Sequence, residues 1–85
     1  MYSRLIQFTL LIPVNKRKRE FNFRQRTATL YDVNTTDEAG ERYYFTLVKE
    51  NEQWLFGTGQ IIPQWLKNSE EEILAAFTSG EPNEV

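Results

Sequence analysis

Lys16, Arg17, Lys18 and Arg19 stand side by side, and Arg24 and Arg26 follow closely. Cations at this density can neutralise phosphates. Phe21 and Phe23 are interleaved with them, and aromatic rings are what single-stranded nucleic acid stacks its bases on. On an extended strand, however, Phe21 and Phe23 face away from Asn22 and Arg24. Charge and stacking then share a surface only if the strand is bulged or the sheet strongly twisted. The plainer reading makes the phenylalanines core and the cations a solvated loop. A third lets the cations meet other anionic groups, including the acidic part of the chain itself.

That acidic part is large. From Met1 to Arg26 there are seven Lys/Arg against Glu20 alone; from Thr27 to Val85 there are three against eleven acids. Such asymmetry points to binding more than to catalysis. The overall acidity, with a pI near 5.1, argues against general affinity for polyanions, so only the local patch favours nucleic acid. The basic tetrapeptide also fits a minimal nuclear-import pattern, a match that short runs make by chance.

Other chemistry is thinly supplied. The chain has no cysteine and no histidine. Disulfides, thiolate nucleophiles and Cys-based zinc sites are excluded, and the commonest general base and metal ligand is missing. Glu70, Glu71 and Glu72 are consecutive, so on a helix they diverge and suit a helix start better than a site. Asp37, Glu38 and Glu41 lack the spacing of a calcium loop and read as a solvated turn. Gly57-Thr58-Gly59 falls short of a dinucleotide fingerprint and reads as a bulge or a close backbone approach. Asn34-Thr35-Thr36 fits a glycosylation sequon without a secretion signal to give it meaning. No metal or cofactor is expected, and the chain reads as a non-enzyme.

The elements that position these residues follow from periodicity. Ile6, Phe8, Leu10, Ile12 and Val14 alternate, which predicts a strand over about 3–14 with one buried face. Pro13 puts the end of that strand at a sheet edge. After a polar connection at 15–19, a long strand is expected over about 20–33. The apolar register changes between Phe21/Phe23 and Ala28/Leu30, which predicts a bulge near 25–27. Residues 34–40 read as a loop, 41–50 as a third strand and 53–62 as a fourth, the last two forming a hairpin across Asn51-Glu52. Tyr43 and Tyr44 must then face opposite ways.

Pro63 ends the sheet. Ser69-Glu70-Glu71-Glu72 matches a capping box, and Ile73, Ala76 and Phe77 follow at helical spacing up to a cap at Gly80. A single helix over 63–79 is the alternative to a turn at 63–67 followed by the capped helix.

The expected fold is α+β: a four-stranded, mainly antiparallel meander covered by one C-terminal helix (β-β-β-β-α). It forms a single domain over 1–79 with a flexible tail over 80–85. The same element order occurs in the subunits of some dimeric single-strand-binding folds, a likeness of fold alone. The expected function is a small binding protein that contacts nucleic acid or another anion through Lys16, Arg17, Lys18, Arg19, Arg24 and Arg26. The competing expectation is a protein-interaction module or homodimer using Tyr44, Trp54, Trp65 or a sheet edge. Leu5 to Val14 is too short to span a bilayer, and the basic cluster follows it where a signal peptide would have it precede. Cytoplasmic location and no membrane partner are the default.

Overall fold

A computed structural model describes residues 6–80. Five strands run in the order β1 (Gln7–Val14), β2 (Arg17–Thr27), β3 (Leu30–Thr36), β4 (Arg42–Glu50) and β5 (Gln53–Phe56). Each pairs antiparallel with the next, so spatial order equals chain order. Two helices follow, α1 (Gln64–Lys67) and α2 (Glu70–Gly80). The sheet has five strands where four were expected, and it curls into a half-barrel around α2. The extra strand comes from the long segment at 20–33, which is two strands joined by a two-residue turn at Ala28-Thr29. The expected bulge is present as well, as a register shift between Gln25 and Thr27. It adds twist just where the chain reverses. The turn carries none of the usual Gly, Asn or Pro signals; it is closed by the Thr27↔Leu30 pair and by the Thr29 amide donating to Thr27 Oγ1 at 3.2 Å.

The other two-residue turns are of the primed type. Asn15, Lys16, Asn51 and Glu52 have φ of 54°, 68°, 51° and 65°, the left-handed pair whose twist matches a hairpin. Asn tolerates this conformation; Lys and Glu take it at a cost of about 1 kcal/mol each.

Alternation then sorts the side chains. Ile12, Val14, Phe21, Phe23, Tyr31, Val33, Phe45 and Leu47 fill the inner face and are buried. Ile73 and Phe77 press onto them from α2, with Leu66 from α1 and Ile62 from the segment before it. Phe77 lies at the centre of the aromatic packing, 5.1 Å from Phe23, 4.9 Å from Tyr31 and 5.1 Å from Trp54, ring centre to ring centre. α2 packs on β1 and β5, the two outer strands of the sheet. The half-barrel therefore closes around a helix that bridges its two rims.

The helical region is a single helical turn at Gln64–Lys67 followed by a separate helix, as the turn-then-helix reading expected, and not one long helix. α1 ends at Lys67, and Ser69 sits buried in the break, its carbonyl accepting the Ile73 amide at 2.9 Å. That is the first bond of α2, as expected of an N-terminal cap residue. Gly80 is not a left-handed cap but the last residue of α2. A Cβ there would lie 2.9 Å from Leu10 Cδ2, so the bare α-carbon lets the helix end settle on β1. The expected start of the first strand at 3–5 and the tail over 81–85 lie outside the described residues.

β5 is shorter than expected, ending at Phe56. Beyond it, the Gly57 amide donates to Thr46 O at 2.9 Å. The Gln60 side chain then accepts from the Thr46 amide (3.0 Å) and donates to Thr46 O (3.1 Å) and Gly57 O (2.9 Å). An amide side chain here does the work of a strand backbone. The approach is tight enough that a Cβ on Gly57 would stand 2.4 Å from Thr46 Oγ1, so the glycine answers a close backbone approach.

Candidate nucleic-acid interface

The cations of the N-terminal part do not form one cluster. Strand alternation divides them between the two faces of the sheet, and acidic side chains then claim several. Arg17 and Arg19 share the inner parity of Phe21 and Phe23, at the end of the sheet where the core stops. Both reach Glu38 in the β3–β4 loop, at 3.4 Å and 3.3 Å. Arg19 is the more committed. Its side chain is only 13% exposed, its guanidinium lies 5.3 Å from the centre of the Trp65 ring, and Nη1 donates to Thr36 O at 3.4 Å. Its buried Nε has no partner among the described residues. Trp65 in turn meets Tyr43 edge-on at 5.7 Å.

The loop that supplies Glu38 is itself organised by Asp37. One oxygen, Oδ1, accepts the amides of Ala39 and Glu41, each at 2.9 Å. The other, Oδ2, accepts the Tyr43 hydroxyl at 2.9 Å. The Glu41 amide first, and then the Tyr43 hydroxyl, hold the Asp37 carboxyl below its ordinary value of 3.8. The same hydrogen bond raises the Tyr43 phenol above 10.0, because ionised tyrosine would lose it and face a carboxylate. The acidic residues of this loop thus serve turn geometry and ion pairing. The acids paired with the basic hairpin are Glu38 of this loop and Asp32 of β3; Glu70, Glu71 and Glu72 at the start of α2 line a separate shallow depression with Lys67.

The outer face is different. Lys18 and Arg24 share the outer parity of β2 and are exposed. Lys16 projects from the β1–β2 turn. Among the described residues, these three cations have neither an ion-pair nor a hydrogen-bond partner. Arg26, the extra residue of the bulge, pairs with Asp32, so its charge is largely spoken for. Glu20 is the other acid on this stretch of the face.

Between the cations runs a ladder of neutral polar groups that the sequence reading missed. Thr9 Oγ1 donates to Asn22 Oδ1 at 2.7 Å, and Asn22 Nδ2 donates to Asn34 Oδ1 at 3.0 Å. Arg42 donates to that same Asn34 oxygen. The residues come from four adjacent strands, in register as Thr9↔Asn22 and Asn22↔Asn34. Asn22 was legible as the outward neighbour of Arg24; its companions were not, because only strand pairing aligns them.

Tyr44 completes the face. It stands opposite Asn34 in the register and is 71% exposed. It borders an open depression of about 440 Å³ lined also by Arg24, Arg26, Asp32, Thr46 and Gln60. A second depression, beside it, is lined by Gln7, Thr9, Asn22, Arg24 and Asn34. Phe21 and Phe23, 0% and 1% exposed, are core and offer nothing to a base. The two tryptophans are half-buried. Trp54 packs edge-on against Tyr31 and Phe77, with Lys49 over its ring, and Trp65 is held between Arg19 and Tyr43. Of the three aromatics proposed for partner binding, Tyr44 is the one with a free ring.

No helix among the described residues is long and apolar enough to cross a membrane. No protein-family model, curated protein or solved structure matches the chain. The fifth strand also removes the β-β-β-β-α order on which the likeness to dimeric single-strand-binding folds rested.

Proposed function

We propose that this protein is a non-enzymatic binding module that takes single-stranded nucleic acid across the outer face of its sheet. The observation that carries the reading is the company Tyr44 keeps. An exposed ring on the face that bears Arg24 and Lys18, beside a row of amide and hydroxyl groups, supplies the three things a single strand needs. Tyr44 stacks a base, Arg24 and Lys18 neutralise phosphates with Lys16 at the turn, and Asn22 and Asn34 offer donors and acceptors to base edges. An open, shallow surface suits unpaired bases, whose faces and edges are accessible.

The roles within the basic segment are unequal. Lys16, Lys18 and Arg24 are the phosphate contacts. Arg17, Arg19 and Arg26 keep the sheet and its loop in order through Glu38 and Asp32.

The test is fluorescence anisotropy of labelled single- and double-stranded oligonucleotides against wild type and Tyr44→Ala. Single strands should bind more tightly than duplex. Loss of one stacked base, worth about 1–3 kcal/mol, should weaken that binding roughly five- to 150-fold. Absence of binding at low salt, or binding indifferent to Tyr44→Ala, overturns the reading.

A further inference from the structure

We infer that β1 is a self-pairing edge: two copies of the chain join antiparallel along Gln7–Leu11 about a two-fold axis at Thr9. This does not depend on what the outer face binds.

The backbone sets the geometry. The Gln25 amide donates to Ile6 O at 2.8 Å, so the even residues of β1 exchange hydrogen bonds with β2. In an antiparallel ladder the alternate residues turn both N–H and C=O the other way. Gln7, Thr9 and Leu11 therefore present their amides and carbonyls along the edge that β2 leaves uncovered, where no described strand pairs with them. Such edges are normally blunted by charge, proline or bulges. β1 contains no charged residue, its pairing with β2 runs without a bulge, and Leu11 is 65% exposed. Its only breaker, Pro13, falls beyond the stretch that would pair.

Charge selects the occupant and the register. On β2, Arg24 stands opposite Gln7 and Glu20 opposite Leu11. A two-fold axis at Thr9 sets Gln7 beside Leu11 of the second copy. Each row across the joint then runs from Arg24 of one copy to Glu20 of the other, about 14 Å apart at the backbone over three strand spacings, so each row carries opposite charges at its two ends. An axis at Gln7 would align two Arg24 residues instead. An axis at Leu11 would align two Glu20 residues and bring Pro13 into the ladder. One register is thus favoured and its neighbours are opposed, which is what a symmetric joint requires.

The experiment is sedimentation equilibrium of the intact chain from micromolar to millimolar concentration, with Leu11→Lys beside wild type. Leu11 is exposed, so the variant should keep its fold, checked by circular dichroism. Wild type should dimerise, and Leu11→Lys should raise the dissociation constant at least about tenfold. The register has its own probe. The chain has no cysteine, and hydrogen-bonded antiparallel partners sit about 5.5 Å apart at Cα, within the span of a short bifunctional maleimide. Thr9→Cys should therefore be joined into a covalent dimer by that reagent, and Thr58→Cys should not. A wild type that stays monomeric throughout, or a dimer that Leu11→Lys leaves unchanged, overturns the proposal. A dimer in which Thr9→Cys fails to crosslink overturns the register.

Discussion

Replacing Arg24 by Ser tests the division of the cations most directly. Arg24 is exposed on the outer face and lacks a partner among the described residues, whereas Arg17 and Arg19 are engaged by Glu38 and Arg26 by Asp32. The free set is therefore Lys16, Lys18 and Arg24. Each phosphate neutralised on a single strand contributes about −0.7 to the slope of log K against log salt, so three give about −2. Between about 50 and 200 mM salt, affinity should then fall roughly eighteenfold for wild type and roughly sevenfold for Arg24→Ser. Had all six cations of the segment been free, the slope would approach about −4. Anisotropy titrations of a labelled single strand at four or more salt concentrations measure this. Lys67→Ser, an exposed cation on α1, is the control and should leave the slope alone. Thermal melting of Arg24→Ser should match wild type within about 0.5 kcal/mol, as for a surface residue without partners. A slope unmoved by Arg24→Ser, or moved equally by Lys67→Ser, would refute the assignment.

Phe77→Ala removes the ring on which Phe23, Tyr31 and Trp54 converge. It should cost about 3–5 kcal/mol and lower Tm by at least about 12 °C, with exposed Ser79→Ala as the control in the same melts. Gly57→Ala drives a methyl into Thr46 Oγ1 and disturbs the Gln60 clamp; calorimetry should show a loss of about 1–3 kcal/mol, and an unchanged melting curve would mean the clamp yields freely. Asp37 has a folded pKa below its ordinary 3.8, so the stability it contributes is present above that value and lost as pH falls through the folded pKa. Melts of wild type and Asp37→Asn should therefore differ at neutral pH and converge in strong acid; a gap that persists there would remove the carboxylate from the account.

The chain's own periodicity determined much of this protein. Alternation assigned Phe8, Ile12, Val14, Phe21, Phe23, Phe45 and Leu47 to one face and Tyr44 to the other. The Asn51-Glu52 turn and the start of α2 at Ser69 were legible because turns and caps are local chemistry, decided by a few adjacent residues. The reversal at Ala28-Thr29 was not. Thr-Ala-Thr offers only the weak turn signal of a Thr hydroxyl, and the reversal is held also by a neighbour distant in sequence: Thr29 O accepts the Lys49 amide at 3.0 Å. One run of alternating residues thus became two strands, and the sheet gained a fifth. The cations tell the same story. Their density was plain, but which were free was set by the β3–β4 loop, which carries Glu38 to Arg17 and Arg19, and by the pairing of β2 with β3, which brings Asp32 within reach of Arg26. The row from Thr9 through Asn22 and Asn34 to Arg42 also exists only because four strands pair in one register. A side chain's periodicity records which face it occupies; its neighbours on that face are decided by long-range hydrogen bonds, and so only in the folded sheet.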